Sequence, residues 1–259
     1  MRLWLTLGTV LLAAPALAQD NPLQPSPTWD DLRVSVIGLD DEPPVDPGVL
    51  DLDAPMRAHE AAIVPIHLTQ PADAPAVEAL TLVIDENPAP VAAEYTFGES
   101  LMPLDFEVRV RVDSYSDVRA IATQADGGMV MAGRFVKAAG GCSAPAGKDM
   151  AAVESTMGQM RWRTAQDGDR TIGTLMIRHP NFSGLQRDQV TLLNIPAHFI
   201  DRLEVRQGDD MLFTMAAGIS VSEDPVFRFA YHPNGQPVHV HVEDTEGNVW
   251  DQTFTAVSG

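Results

Sequence analysis

Eight consecutive residues alternate between apolar and polar side chains, and this pattern limits the fold more than any other feature of the sequence. The apolar members are Phe106, Val108, Val110 and Val112, and the polar members are Glu107, Arg109, Arg111 and Asp113. Successive side chains of a β-strand point to opposite faces. The segment therefore predicts a strand with one buried face and one face in water.

Similar strand character recurs along the chain, and turn-forming segments such as 86–90 and 126–128 separate the runs. The first set of predicted strands covers residues 49–52, 61–68, 79–85, 92–97, 106–112, 118–123 and 129–136. The second set covers residues 171–178, 199–206, 211–216, 226–231, 238–243 and 249–256, with hairpin turns at 207–210 and 244–248. We predict an all-β protein of two immunoglobulin-like antiparallel β-sandwiches, joined by a Gly/Ala-rich arm and a short helix.

The segments outside these strands set the predicted boundaries. Residues 21–47 are rich in Pro and Asp and predict an extended arm with one short helix. A helix is predicted over 148–163, where an apolar stripe recurs at helical spacing, and residues 166–169 predict a boundary. The predicted division is a signal peptide (1–18), a first sandwich (19–137), an arm with its linker helix (138–168) and a second sandwich (169–259).

The first residues predict export. Met1 and Arg2 precede a short apolar run, and Ala16-Leu17-Ala18 supplies an A-x-A cleavage pattern. This is the form of a secretory signal peptide, and its apolar run is too short to cross a bilayer. We therefore expect a mature protein in the periplasm.

Composition excludes several classes of partner. The 259 residues are 45% hydrophobic and 6% aromatic, which allows two modest cores. The net charge of −19 argues against binding to nucleic acid or to an anionic membrane. An acidic surface keeps an exported protein soluble, and it can also steer a basic partner such as a c-type cytochrome.

Cys142 is the only cysteine of the chain and lies in a stretch of Gly, Ala and Ser. Gly140 and Gly141 leave the backbone unrestrained, so we expect the thiol at the tip of a flexible, solvent-exposed arm. A lone cysteine in a secreted chain has no internal disulfide partner and is a candidate reactive thiol. The alternative is an inert core cysteine, because unpaired cysteines are often buried.

The other candidate sites carry weaker signals. His239 and His241 alternate on one predicted strand, and Glu243 follows on the same face, but no further ligand is placed for a metal. We therefore predict no metal site. The sequence has no nucleophile elbow, phosphate-binding loop, dinucleotide-binding fingerprint or haem attachment motif. We accordingly expect a protein that is not an enzyme.

Several patches resemble the Sox sulfur-oxidation carrier, with a SoxY-like half followed by a SoxZ-like half. The SoxY-like patches are residues 61–66, 82–90 and 136–142, the last ending in Gly-Gly-Cys. The SoxZ-like patches are residues 179–180 with 184–185, the Ile-Pro-Ala-His-Phe-Ile run at 195–200, and 244–247. The chain also resembles the quinoprotein dehydrogenase-associated SoxYZ-like carriers.

This resemblance implies a role for Cys142. In the Sox system, a cysteine on a swinging arm carries sulfur intermediates of thiosulfate oxidation as covalent adducts, and the SoxZ sandwich does no chemistry. Carried onto this chain, Cys142 is the covalent carrier, Gly140 and Gly141 give the arm its flexibility, and no cofactor beyond the sulfur adduct is needed. Lys137 and Lys148 are the cations nearest to the sulfur in sequence. Either could attract an anionic sulfur group, and we interpret both as solvated surface residues. His198, within a family-like patch, is expected to make a structural hydrogen bond at the domain interface.

The implied partners are periplasmic sulfur-oxidation enzymes or c-type cytochromes, and a quinoprotein dehydrogenase is a further candidate. The sequence departs from SoxY because Ser143, Ala144 and Pro145 follow the cysteine and the chain continues into a second domain. An arm fixed at both ends is a loop with less reach than a free tail. Partner enzymes must therefore bind a looped substrate, or the chemistry differs from thiosulfate oxidation. The alternative function is a non-covalent adaptor or scaffold for a periplasmic quinoprotein dehydrogenase.

Overall fold

The computed structural model describes residues 21–144, 153, 155–188 and 191–255. The predicted signal peptide lies outside the described residues. A short helix, α1 (Pro27–Leu32), continues into a π-helical turn (Arg33–Ile37), and one 3-10 turn covers Glu99–Leu101. No helix in the described ranges is long and apolar enough to cross a membrane.

The strands follow the predicted order. The first half of the chain forms β1 (Asp51–Asp53), β2 (Val64–Thr69), β3 (Val77–Ile84), β4 (Val91–Phe97), β5 (Asp105–Val110), β6 (Ser116–Gln124) and β7 (Met129–Val136). The second half forms β8 (Met160–Asp167), β9 (Arg170–Ile177), β10 (Ile200–Gln207), β11 (Asp210–Ala217), β12 (Val226–Tyr231), β13 (Val238–Asp244) and β14 (Val249–Phe254). The predicted all-β class and both predicted hairpins, β10–β11 and β13–β14, are confirmed.

The described strands form two antiparallel sheets, and each sheet contains strands from both halves. The larger sheet has the order β14-β13-β10-β11-β4-β3-β6-β7, and the smaller has the order β1-β2-β5-β12-β9-β8. The halves join where β4 pairs with β11 and where β5 pairs with β12. The two predicted sandwiches therefore lie edge to edge and share both of their sheets.

One hydrophobic core runs through both halves, and Phe106 lies at the point where they meet. In β5, Phe106, Val108 and Val110 are fully buried, as the alternation predicts. The Phe106 ring is 5.2 Å from the ring of Tyr95 in β4 and 5.2 Å from that of Phe213 in β11, measured between centroids. Aromatic pairs at this separation stabilise beyond their buried area, so the core joins the two layers and the two halves at once.

The short helix predicted within residues 21–47 is confirmed and covers the outer face of the larger sheet. Ser26 caps α1, because its hydroxyl accepts a hydrogen bond from the Trp29 backbone N–H at 3.1 Å. Trp29 is buried in a second cluster, which also contains Val83, Ile121 and Met131 of the larger sheet. Leu23, Leu32, Ile37 and Leu39 of the same segment pack against this cluster, so apolar contacts around Trp29 hold the N-terminal segment to the sheet.

The helix predicted over 148–163 is wrong at its C-terminal end. Val153, Ser155 and Thr156 are helical, while residues 145–152 and 154 lie outside the described residues. From Met160 onward the chain forms β8, which pairs with β9 along its whole length, from Met160↔Ile177 to Asp167↔Arg170. The predicted boundary at 166–169 is instead the tight turn of this hairpin.

Candidate functional site

Cys142 lies in a turn that follows β7, and its side chain is completely buried, with an exposed fraction of 0%. The prediction of a solvent-exposed thiol at the tip of a loose arm is therefore wrong for this structure. The thiol makes no disulfide. The alternative of a buried cysteine describes its environment correctly.

Hydrogen bonds from both halves hold the arm in place. The Gly140 and Gly141 backbone N–H groups donate to the carbonyls of Asp113 at 2.6 Å and Val112 at 3.2 Å. The Cys142 N–H donates to the Asp113 carboxylate at 3.1 Å, and the Ser183 hydroxyl donates to the Cys142 carbonyl. The first half therefore supplies the acceptors for the arm's backbone N–H groups, and the second half supplies the hydroxyl that donates to the Cys142 carbonyl.

The two glycines allow this close packing. A Cβ atom on Gly141 would lie 2.2 Å from the Ala61 carbonyl oxygen and 2.6 Å from that of Val112, which no side chain tolerates. Gly140 has φ +76°, a conformation that favours glycine. The flexibility that we predict for Gly140 and Gly141 stays a prediction, because here both residues are held in the docked arm.

Arg111 is the charged residue beneath the arm. It directly follows β5 and is 1% exposed. Its guanidinium donates to the Gly141 carbonyl at 3.4 Å and to the Asn181 carbonyl at 3.2 Å. Its buried Nε has no hydrogen-bond partner among the described residues. Arg111 thus joins the arm, the first half and the second half through only two long hydrogen bonds.

The docked thiol is protonated. Burial, reinforced by the Asp113 carboxylate, raises the pKa of Cys142 from its usual 9.0 to about 12, and the Arg111 charge opposes this rise. Burial also lowers the pKa of Arg111, while its electrostatic interactions with Glu223 and Cys142 act in the opposite direction. Because the thiolate is the nucleophile, the docked cysteine is in its unreactive form near neutral pH.

Two histidines and an aspartate meet close to the arm. The Nε2 atoms of His179 and His198 lie 3.3 Å and 2.6 Å from the same oxygen of Asp244. Burial alone would raise the pKa of Asp244, but hydrogen bonds from Asn248 and His198 lower it to about 2. His198 makes a hydrogen bond as predicted, but its partner Asp244 lies in the same half, so this bond does not cross the domain interface. These three side chains are the described group that could hold a metal ion.

Asn181 connects this cluster to the arm. Its side-chain oxygen lies 2.7 Å from His179 Nδ1, and its backbone carbonyl accepts a hydrogen bond from Arg111. The three SoxZ-like patches at 179–180, 195–200 and 244–247 each contribute one member of the His–His–Asp group. Their convergence could have been suspected from sequence, whereas nothing local in the sequence marks Arg111, Asp113 or Ser183 as neighbours of Cys142.

The remaining candidates are placed elsewhere. His239 and His241 lie on β13 as predicted, and their ring nitrogens contact Thr253 and Asp251 at 2.8 Å each. The other ring nitrogen of His241 lies 3.0 Å from Glu243. The Lys137 backbone N–H donates a hydrogen bond to the Met56 carbonyl, and the Lys137 carbonyl accepts one from the Ala58 N–H. Lys148 lies outside the described residues.

Two known families match the chain in succession. Residues 36–142 match the family described as "Sulfur oxidation protein SoxY", and residues 160–255 match the family described as "Sulphur oxidation protein SoxZ". The first match ends at Cys142, and the second begins at the first residue of β8. No curated protein matches the chain.

Two solved structures are similar to parts of the chain. The sulfur carrier protein SoxY from Chlorobium limicola f thiosulfatophilum has 20% identity, and the alignment covers 42% of this chain and 94% of that one, with a TM-score of 0.34. The β-glucuronidase of Parabacteroides merdae has 9% identity over 82% of this chain and 25% of its own, with a TM-score of 0.26.

Proposed function

We propose, from the premise that this chain belongs to the SoxYZ family with a SoxY domain fused to a SoxZ domain, that it is a periplasmic sulfur carrier. In this role Cys142 holds sulfur intermediates as covalent adducts and presents them to partner enzymes. The observation that carries the proposal is the position of Cys142. The only cysteine of the chain ends the SoxY match and packs at the junction of the two domains.

The docked arm represents the protected state of such a carrier. Among the described residues the arm is held by six hydrogen bonds: three come from its own backbone N–H groups, and one each comes from Arg111, Ser183 and Gln186. At about 1 kcal/mol each, they favour docking by about 6 kcal/mol, so only a very small fraction of the molecules is undocked. Loading and unloading then take place from this minor open form, in which the thiol regains an ordinary pKa.

We propose that the protein carries sulfur and does not catalyse a reaction of its own. The thiol is protonated while docked, and we assign it the single task of bonding to the cargo. We propose that sulfur-oxidation enzymes or c-type cytochromes of the periplasm load and unload it. The export signal predicted in residues 1–18 is the basis for this compartment.

The test is the intact mass of protein purified from its native periplasm, measured with and without reductant. We expect a reductant-labile mass increment that maps to the Cys142 peptide, and a Cys142→Ser variant that folds normally but lacks both the increment and the function. The mass increment would identify the cargo. An unmodified thiol across growth conditions, or a fully functional Ser variant, would contradict covalent carriage.

The complete burial of Cys142 favours a second candidate. A cysteine with 0% exposure also suits a structural residue in a non-covalent adaptor for a periplasmic quinoprotein dehydrogenase. The adaptor predicts a stable complex with the dehydrogenase that persists in Cys142→Ser and weakens with salt, as expected for a chain of net charge −19. Pull-down of the dehydrogenase by wild type and by the Ser variant separates the two functions.

A further inference from the structure

The fold brings His179, His198 and Asp244 together from three separate segments of the second half. His179 lies just after β9, His198 lies just before β10, and Asp244 is the last residue of β13. The ligand atoms of these side chains all lie within 4.8 Å of one another. The side chains of His179 and Asp244 are 0% exposed, and that of His198 is 18% exposed. Of the three, solvent therefore reaches only His198.

The His179 ring faces a hydrogen-bond acceptor at each of its nitrogens. Nδ1 lies 2.7 Å from Asn181 Oδ1, and Nε2 lies 3.3 Å from Asp244 Oδ2. The Asn181 amide is fixed in this orientation, because its oxygen accepts the Ile200 backbone N–H at 3.0 Å and its nitrogen donates to the Ser222 carbonyl at 2.9 Å. A neutral imidazole carries one proton, so one of the two acceptors lacks a hydrogen.

A metal ion at Nε2 removes this conflict. With the ring proton on Nδ1, Asn181 Oδ1 is satisfied, and the Nε2 lone pair binds an ion that Asp244 also binds. Nδ1 lies 3.1 Å from the Asn181 backbone nitrogen as well, but the side-chain oxygen is the closer of the two. A second proton on the ring would serve the same acceptors, yet it would place a charged imidazolium in a site without solvent, 4.9 Å from the His198 ring.

The distances suit a metal ion after a small movement of His198. Zn²⁺ binds nitrogen and carboxylate oxygen at about 2.0–2.2 Å, which places tetrahedral ligand atoms about 3.4 Å apart. The separation of 3.3 Å between His179 Nε2 and Asp244 Oδ2 meets this value. His198 Nε2 lies at 2.6 Å because it donates its proton to the carboxylate. The ion replaces this proton, which moves to Nδ1 of the same ring, and the partly exposed ring withdraws by about 0.8 Å.

Neighbouring groups already orient the ligands. The backbone N–H groups of Glu246 and Asn248 donate to Asp244 Oδ1 at 2.9 Å each, and Asn248 Nδ2 donates to Oδ2 at 2.9 Å. Asn181 Oδ1 accepts from His179 Nδ1 on the side of the ring away from the site. Metal-binding histidines and carboxylates usually have such outer partners, which fix the tautomer and the direction of each ligand.

We propose that His179 Nε2, His198 Nε2 and Asp244 Oδ2 form a binding site for a divalent first-row transition-metal ion, with Zn²⁺ as the best match and water as the fourth ligand. Two imidazoles and one carboxylate suit ions of this class, whereas Mg²⁺ and Ca²⁺ prefer oxygen ligands alone. The site is distinct from the pair that the sequence pattern offers, His239 and His241. It goes beyond the proposed function, because it does not involve the thiol.

The test is a titration of the full chain after a chelator has removed its metal. Zn²⁺ alone is followed by calorimetry, and Co²⁺ by the visible absorption of a four-coordinate ion. We expect one ion per chain and the same affinity in Cys142→Ser, which excludes the thiol as a ligand. The Ile200 amide donates to Asn181 Oδ1, so its hydrogen exchange should slow by about ten-fold when Zn²⁺ binds.

Variants identify the ligands. His198→Ala should weaken Zn²⁺ binding by more than the roughly 10–100-fold that loss of an outer partner costs, and Asp244→Asn should do the same. His241→Asn is the matched control, because His241 lies in the same half and also contacts two carboxylates, those of Glu243 and Asp251. It should keep the full affinity and the ratio of one ion per chain. If Asp244→Asn does not fold, His198→Ala decides the outcome, since His198 is partly exposed.

The proposal is overturned if the wild type binds no Zn²⁺ or Co²⁺, or if His198→Ala binds Zn²⁺ as tightly as the wild type. Loss of binding in His241→Asn would also overturn it, because the ion would then lie on the surface of β13. The carrier function fails on a different measurement, the absence of an adduct on Cys142, so the two failures are distinguishable.

Discussion

Cys142 shows how neighbours from distant parts of the chain change the chemistry of one side chain. The arm sequence identifies a lone cysteine among small residues, and it marks the residue as the candidate site. The groups that hold its backbone in the docked position are Asp113 and Ser183, which lie 29 and 41 residues away along the chain. A local pattern of glycines does not reveal such contacts, which is why the predicted exposure of the thiol is wrong while the choice of residue stands as a prediction.

The raised pKa of Cys142 predicts a loss of stability in alkaline solution. The folded protein holds the thiol proton up to about pH 12, whereas the unfolded chain releases it near pH 9. The stabilising effect is therefore complete below pH 9 and is lost as the pH rises toward 12, at about 1.4 kcal/mol per pH unit. Urea unfolding of wild type and of Cys142→Ser should show a gap that narrows across this range. Parallel curves would contradict a buried, protonated thiol.

At the scale of elements, Trp29 is the buried side chain of α1. Trp29 is 3% exposed, and the Arg119 guanidinium lies 4.4 Å from its ring centroid. Trp29→Ala should cost about 3–5 kcal/mol and free the N-terminal segment from the outer face of the larger sheet. Limited proteolysis should then cut within residues 21–47. Val34→Ala, at a side chain that is 52% exposed in the adjoining π-helical turn, is the control and should leave the cleavage pattern unchanged.

The strands were predictable where apolar and polar residues alternate strictly. The prediction failed where one segment shows both the alternation of a strand and the apolar spacing of a helix. In β5 the alternation is complete, so the sequence predicts both the strand and its buried face. Near Met160 the spacing of earlier apolar residues suggests a helix, while Met160 and Trp162 alternate with arginines as in a strand. The strand forms here because residues 160–167 pair with β9. In this position Trp162 packs on Phe229 of β12, at a distance of 5.7 Å between ring centroids. Trp162 and Phe229 lie 67 residues apart (229 − 162), so a local sequence pattern does not reveal this contact.

At the scale of the whole molecule, the shared sheets predict a single unfolding unit. Leu82 of β3 is fully buried in the common core, and Leu82→Ala should cost about 2–5 kcal/mol. Because both sheets pass through the junction, hydrogen exchange in β9 of the second half should speed up by the same factor as exchange in β6 of the first half. Faster exchange confined to the first half would show that the halves unfold independently. The order of thirteen of the fourteen described strands was predictable from sequence, and β8 was missed because a helix was predicted there. The pairing of β4 with β11 and β5 with β12 was not predictable, because edge pairing depends on tertiary register.

The junction between the halves has a further consequence when both belong to one chain. If the halves were separate molecules, dilution would part them and leave the pairing edges of β4, β5, β11 and β12 open to other proteins. A covalent connection instead sets a local concentration in the millimolar range for a short tether, whatever the amount of protein present. The site around Cys142, which needs Arg111 from the first half and Ser183 from the second, is therefore complete at any expression level, because the two halves are always present in a one-to-one ratio.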